Sequence, residues 1–375
     1  MTSAGRPDAI VIGAGIVGAA CAEALSRDGL RVLVLDAGFA GGGTTAAGMG
    51  HLVAMDDSPA QLALTSYSLE CWRALAPELG REIALRECGT LWIAENDEQL
   101  AAVRAKKRLY HERGLAAEEL DARALASAEP RLREGLAGAL HVAGDAVLYP
   151  PCAALRLLAL ARARGAELRE GWRVLSIGGG GVRGARETIS AGVIVIATGA
   201  DAPRLTPGLP IVPRKGHLVI TDRHPGFCHH QLVELGYLTS AHEMTAESVA
   251  FNVQPRETGQ LLIGSSRELV GLDATINRPL VARMLARAAS FLPAIAALSA
   301  IRVWTGFRPA TPDSLPLIGA WETGENVMIA AGHEGLGITT ATGTARIIAD
   351  LVAGRAPAID AAPYSPVRGH AAAVH

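Results

Sequence analysis

The chain has 375 residues, of which 49% are hydrophobic and 19% charged, and its formal net charge is −2. That length allows two domains at roughly 150 residues each. The composition excludes a disordered chain, and the absence of a basic excess argues against nucleic-acid or anionic-membrane binding. Positive charge is almost all arginine, the lysines being Lys106, Lys107 and Lys215.

The first predicted element is the apolar run Ile10-Val11-Ile12, which leads into Gly13, Gly15 and Gly18. A helix-periodic segment follows through Leu25 and closes at Gly29, and a second apolar run, Val32 to Leu35, ends at Asp36. This order reads as strand, tight turn, helix, strand. Gly13 permits the turn, Gly15 lets the backbone approach a pyrophosphate, and Gly18 lets the helix pack on the strand. The helix N-terminus offers N–H groups to phosphates. Asp36 lies 18 residues after Gly18 (36 − 18), close to the spacing of a carboxylate that accepts from ribose hydroxyls. The stretch predicts a dinucleotide site without saying which dinucleotide.

The glycine- and threonine-rich loop from Gly41 to His51 comes next, and Thr44 and Thr45 are expected to donate to phosphate oxygens. Ser58 to Leu79 carries helical periodicity with Pro77 as its stop, and Cys88 to Ala94 reads as a strand. Asp97 to Arg113 reads as a charged amphipathic helix whose cluster Arg104, Lys106, Lys107 and Arg108 forms a solvated face, because no aromatic ladder accompanies it. Leu120 to Glu129 is expected as a short helix, Ala139 to Val147 as two short strands, and Tyr149-Pro150-Pro151 as a break. Cys152 to Arg164 reads as an apolar helix and Glu167 to Ile177 as a strand. Gly192 to Ala197 reads as a buried strand running into Thr198-Gly199.

From Ile211 to Ile263 the pattern changes to alternation, which predicts a separate antiparallel sheet. A helix returns over Pro279 to Phe291. The segment Trp304 to Asp313 contains Gly306-Phe307-Arg308-Pro309, and Val327 to Ala331 reads as a strand. Gly332-His333-Glu334-Gly335-Leu336-Gly337 opens a last helix from about Ile338 to Val352. The tail from Pro357 is expected to be loosely ordered. The five cysteines, Cys21, Cys71, Cys88, Cys152 and Cys228, contain no C-x-x-C and suggest reduced thiols rather than a disulfide framework or a metal site. No charged leader with an apolar core precedes the first strand and no run of about 20 apolar residues occurs. A cytoplasmic chain without a transmembrane helix is expected, with membrane association at most peripheral.

These motifs, in this order, resemble the FAD-dependent D-amino acid oxidase/glycine oxidase superfamily. The resemblance rests on the N-terminal glycines, the Gly41 to His51 loop, Ala197-Thr198-Gly199, Gly306 to Pro309 with Thr311-Pro312-Asp313, and Gly332-His333 with Gly335 and Gly337. Within it, Thr44 to His51 and Met55 to Pro59 are most similar to D-hydroxyproline (or opine) dehydrogenase β-type subunits. The resemblance implies an α/β fold, with a Rossmann-like FAD-binding domain built from discontinuous segments (1–82, 140–210 and 305–375). It also implies an inserted α+β substrate domain (83–139 and 211–304) carrying an antiparallel sheet. FAD is the implied cofactor, bound without a covalent link because no cysteine occurs from Gly306 to Gly319.

The residues expected around FAD are Gly13, Gly15, Ile16, Val17, Gly18, Asp36, Ala37, Gly43, Thr44, Thr45, Ala47, Gly48, Met49, Gly50, His51, Val174, Ala197, Thr198, Gly199, Arg308, Gly332, His333, Gly335, Leu336, Gly337, Ile338 and Thr339. The helix end at Gly335 to Ile338 is suited to the negative charge that a reduced flavin carries near N1. Arg308 and His51 are the expected catalytic residues, and no metal is expected. Arg308 offers a planar fork to a substrate carboxylate; the competing reading is a structural ion pair with Asp313. His51 and His333 either touch the flavin or are hydrogen-bonded scaffold residues. Tyr149, Tyr237 and Glu234 are weaker candidates for substrate contact.

The implied reaction is oxidation of a small D-amino or imino acid, proline-like, to the imine by hydride transfer to flavin N5. Electrons then pass to an acceptor other than oxygen. An oxygen-using glycine or sarcosine oxidase, and an opine dehydrogenase or electron-transfer subunit of a heteromeric complex, are the alternatives.

Overall fold

The four-residue apolar runs Ala9–Ile12, Val32–Leu35 and Val193–Ile196 are buried along their whole length, as strands covered on both faces must be. In the computed structural model, which describes residues 6–236, 247–321 and 326–368, they form the middle of a six-stranded sheet. Its order is Leu317–Ala320, Val327–Ala331, Val193–Ile196, Ala9–Ile12, Val32–Leu35 and Glu167–Arg169, parallel throughout except at Leu317–Ala320. Strands from both ends and the middle of the chain meet here, so the Rossmann-like domain is discontinuous as expected. The helix Ile16–Arg27 packs on it so closely that a Cβ built on Gly18 would lie 1.9 Å from Gly13 O.

The alternating region becomes an eight-stranded sheet in the order Ala300–Ala310, Val212–Thr221, Leu261–Glu268, Glu247–Pro255, Gln231–Glu234, Thr90–Ala94, Gly138–Val142, Glu118–Asp121. Only Gln231–Glu234 and Thr90–Ala94 run parallel. On the outer face, Phe251 and Val253 pack with Met284, Ala288 and Phe291 of the helix Arg278–Phe291. Alternation then turns Asn252 to the opposite face, toward the first domain. The expected boundaries at 139/140 and 304/305 each fall inside a strand of this sheet. Gly138–Val142 pairs with Thr90–Ala94, and Ala300–Ala310 pairs with Val212–Thr221 as far as Ala310. The segment Trp304 to Ala310 is therefore strand, although its glycine and proline give no strand pattern.

Other differences have local causes. Pro77 does not end its helix, which runs Pro59–Leu79; the proline sits in the last turn and Gly80, at φ 75°, is the stop. Pro150 and Pro151 begin the helix Pro150–Ala163 rather than break the chain, because the first helical positions need no partner for a backbone N–H. The helix expected at Leu120 starts at Ala122, where the Asp121 carboxylate accepts from Ala124 N, and Glu118–Asp121 is the sheet's edge strand. Lys106 leaves the solvated face. It is buried, paired with Asp56, with Nζ 4.7 Å from the Trp92 ring centroid and 4.9 Å from that of Tyr110. The tail is anchored as far as 368: Tyr364 is buried and its hydroxyl donates to Ala60 O at 2.6 Å, while 369–375 lie outside the described residues. All five cysteines are free, and among the described residues no helix is long and apolar enough to cross a membrane.

Candidate active site

Between the two sheets lies a cavity of about 580 Å³. One end is lined by Asp36 and by Trp172, Arg173 and Val174. The middle is lined by Gly13, Gly15, Ile16 and Val17, by Gly42 to Thr45 and by Ala197 to Gly199. The far end opens onto Met49, His51, Asn252, Ser265, Arg308 and Glu334. Asp36 turns its carboxylate back on the turn, accepting from Ala14 N and Gly38 N at 2.7 Å each. The loop after it forms a short helix, Gly43–Ala47. There Thr45 Oγ1 accepts from Ile16 N at 2.9 Å, which leaves its own proton to donate, while Thr44 donates to Phe307 O at 2.8 Å instead of facing outward. Of the residues expected around a cofactor, Gly18, Gly50, Gly332, Leu336 and Thr339 do not line the cavity. Gly18 and Gly50 lie against backbone carbonyls instead, those of Gly13 and Leu148. Thr339 donates to His51 O at 2.9 Å and so fixes the loop from behind.

The eight-stranded sheet supplies the floor beneath the far end: Gly216, Leu218, Asn252, Ser265, Gly306 and Arg308. Arg308 Nη1 donates to Ser266 O at 3.0 Å. Its guanidinium lies on Gly216, where a Cβ would come within 2.3 Å of Nη1. Asp313, the expected structural partner, is held instead by Arg368 through contacts of 2.7 and 2.8 Å. Among the described residues no carboxylate oxygen lies within 4.0 Å of the Arg308 guanidinium, which leaves the fork open toward the cavity. Glu334 stands beside it at φ 47°, with Arg214 and Arg267 at 3.7 and 3.8 Å. Burial would raise its carboxyl, but the guanidiniums of Arg267, Arg308 and Arg214 and the Gly335 N–H outweigh this and hold it below the ordinary carboxylate value. Among the described residues, three guanidiniums thus surround the one carboxylate at this end, and Arg308 is the one that lines the cavity.

Burial, with Arg256 and Arg308 nearby, pushes the His51 imidazole down to about 4. Its Nε2 lies 3.4 Å from Asn252 Nδ2. Burial takes His333 down to about 3, with Nε2 3.0 Å from Thr344 Oγ1. Both imidazoles are neutral near pH 7, and both line the cavity. Tyr149 and Glu234 do not; Glu234 is buried and paired with Arg287. Tyr237 lies outside the described residues. Trp172, Arg173, Asp201, Arg204, Asn252, Ser265 and Glu334 line the cavity without having been singled out as its residues from the sequence.

The arrangement fits FAD. The cavity runs from the Asp36 carboxylate to a polar chamber, past a helix N-terminus whose N-cap residue, Gly15, has no side chain to cap it and where Thr45 Oγ1 meets only Ile16 N. The buried Thr198 Oγ1 on its wall has no partner among the described residues. Comparison with known proteins agrees. The family described as FAD dependent oxidoreductase matches residues 8–351. Glycine oxidase from Pseudomonas aeruginosa is 30% identical over 379 residues, covering 95% of this chain and 98% of the relative. D-amino acid dehydrogenase from Methylobacterium nodulans is 31% identical over 313 residues, covering 79% and 70%. The crystal structure of glycine oxidase from Geobacillus kaustophilus superposes with a TM-score of 0.87 at 29% identity, covering 97% of this chain and 99% of that one. The chain belongs to the FAD-dependent oxidoreductase family, within the D-amino acid oxidase/glycine oxidase superfamily. It is an enzyme and FAD is its cofactor.

Proposed function

We propose that the enzyme oxidises a small D-amino or imino acid, proline-like and of the D-hydroxyproline type, to its imine, passing the electrons to an acceptor other than oxygen. The observation that carries this reading is Arg308: a guanidinium on the cavity floor, fixed by Ser266 O and seated on Gly216, with its fork turned to the chamber. FAD, when bound, supplies the hydride acceptor. The chain's own residues bind and orient. Arg308 holds the carboxylate in a bidentate grip and fixes the direction of the Cα–H bond. The apolar side chains of Met49 and Leu218 close the chamber against water. The imidazole of His51, neutral at working pH, can accept a hydrogen bond without adding charge beside Arg308. The residues expected around the cofactor that also line the cavity, Gly13, Gly15, Ile16, Val17, Asp36, Ala37, Gly43 to Thr45 and Ala197 to Gly199 among them, would hold the dinucleotide.

Lys215, the lysine of the substrate sheet, points away from the chamber; its Nζ donates to Thr275 O at 3.0 Å and meets Glu268 at 3.1 Å. That placement supports an acceptor other than oxygen. An oxygen-using oxidase of glycine or a related amine is the second reading, favoured by the glycine oxidases among the relatives. Anaerobic reduction of the bound flavin against D- and L-amino acids, sarcosine and the prolines tests the substrate. Reoxidation of the reduced enzyme by oxygen or by a dye tests the acceptor. Bleaching by a D-proline and fast reoxidation by dye alone support the first reading; bleaching by glycine or sarcosine with stoichiometric peroxide replaces it with the second.

A further inference from the structure

Two polar atoms on the chamber floor have no explanation in the grip of a carboxylate. Asn252 and Ser265 are 5% and 3% exposed, and both line the cavity. Asn252 Oδ1 and Ser265 Oγ have no hydrogen-bond partner among the described residues. A buried polar atom left without a partner is costly, and such atoms in a ligand chamber are the ones a ligand satisfies. Of the neighbouring polar groups, His51 Nδ1, which lines the cavity, and Gln254 Oε1, which does not, also lack a partner among the described residues, while two others are in use. Ser266 Oγ, one residue on, accepts from His217 N at 2.9 Å; Gln254 Nε2 donates to Met49 O at 2.9 Å.

We infer that Asn252 and Ser265 form a subsite for an uncharged hydrogen-bonding group on the substrate's side chain or ring, a hydroxyl above all. The inference rests on the reading of the substrate as a proline-like amino acid of the hydroxyproline type and assigns the two residues that meet its hydroxyl. Its position follows from the sheet. Arg308 Nη1 is bonded to Ser266 O, so Ser265 is the adjacent residue on the same strand. Asn252 stands on the next strand, where it faces Gly264 in the register. The two polar groups thus lie within one or two strand spacings of the guanidinium, roughly 5–10 Å. A single small ring held at its carboxylate by Arg308 can reach that distance with a substituent on its far side. The chemistry excludes a second carboxylate. An amide and a hydroxyl each donate and accept without charge, and the imidazole nearest to them, His51, is neutral. Of the charged groups at this end of the cavity, Arg308 is engaged by the substrate carboxylate and Glu334 is itself an anion with Arg214 and Arg267 beside it; Arg256, near His51, does not line the cavity and donates to Leu148 O at 2.9 Å. A site built to hydrogen-bond a substrate hydroxyl discriminates strongly against the analogue that lacks it, because its own polar groups are then left unpaired.

The test compares D-proline with the two 4-hydroxy-D-proline epimers in anaerobic stopped-flow reduction of the FAD-loaded enzyme, using wild type, Ser265→Ala and Asn252→Ala. Wild type is expected to favour one hydroxylated epimer over D-proline by at least tenfold in the ratio of reduction rate constant to Kd. In each variant that preference falls at least tenfold toward unity, whatever common loss both substrates suffer. FAD affinity, measured by flavin fluorescence on dilution, stays within threefold of wild type. Equal reduction of both substrates by wild type, with the ratio unmoved in the variants, overturns the subsite and leaves the proline reading standing. Loss of FAD affinity together with an unmoved ratio shows that the two groups serve the cofactor, and also overturns it. Reduction of wild type by glycine but by no proline overturns the substrate reading and the subsite with it.

Discussion

Replacing Gly216 with alanine separates catalysis from stability with one methyl group. A Cβ built on Gly216 lies 2.3 Å from Arg308 Nη1 and 2.8 Å from Cζ and Nη2. Apolar contact needs about 3.5 Å, so the guanidinium must shift by about 1 Å. That shift breaks or weakens the 3.0 Å bond to Ser266 O and turns the fork away from the bound carboxylate. A charge-assisted bond contributes about 1.5–3 kcal/mol, and a misplacement of about 1 Å can cost roughly a hundredfold in rate. Gly216→Ala is therefore expected to lower the ratio of flavin reduction rate to Kd by about 10- to 100-fold. Stability should change little, because the backbone gain offsets part of the weakened bond and the guanidinium can turn to the cavity. Gly216 has no left-handed φ, so alanine fits its backbone. Loss of glycine from a strand interior stabilises by roughly 0.5–1 kcal/mol. The assay is anaerobic stopped-flow reduction beside thermal unfolding at matched FAD content. Wild-type reduction in Gly216→Ala would refute the placement of Arg308 over this residue. A large fall in Tm would refute the claim that the methyl group meets only the mobile end of a side chain.

Arg308→Lys keeps the charge but loses the fork, so it should weaken substrate binding about tenfold, and Arg308→Ala should cost at least about 3 kcal/mol in the same ratio; equal values for the two variants would deny the bidentate grip. His51 and His333 are pushed down by burial to about 4 and about 3, whereas an unfolded histidine titrates near 6.5. The unfolded chain therefore binds more protons from about pH 6.5 down to 4. Stability should be full above that window and fall by up to about 1.4 kcal/mol per pH unit per histidine as the pH drops through it. Tm against pH for wild type and His333→Gln checks this, and the variant should show the shallower slope. Lys106→Ala leaves Asp56 without its buried partner and should destabilise by about 3–5 kcal/mol, read as the denaturant midpoint, with flavin reduction by substrate retained once FAD is loaded.

The first domain was legible because its strands are covered on both faces. Four-residue apolar runs, three spaced glycines and a terminal acid leave few alternatives in sequence. The chamber floor was harder. Asn252 is a polar residue in an alternating strand, and alternation alone reads such a residue as facing water. Here the face it points to is covered by the cofactor loops, with Gln254 tied to Met49. That covering is a tertiary fact and leaves no local mark. The strand Ala300–Ala310 was hidden because Gly306 and Pro309 weaken its pattern, although the register with Val212–Thr221 is regular through both. Lys106 was legible in principle. Val103, Lys106 and Tyr110 recur at helical spacing and are the buried residues of their helix, yet the run of neighbouring charges concealed the position. The choice between Asp313 and a substrate as partner for Arg308 was open in sequence; that Asp313 pairs instead with Arg368, 60 residues beyond Arg308 (368 − 308), leaves no local mark.

The most direct measurement of the central claim is anaerobic titration of the FAD-loaded enzyme with D-proline and its 4-hydroxy epimers, followed by flavin absorbance. The account predicts full bleaching by at least one of them, together with loss of that bleaching at the same concentration in Arg308→Ala. Bleaching by none of them, or undiminished bleaching in the Arg308→Ala enzyme, would contradict it.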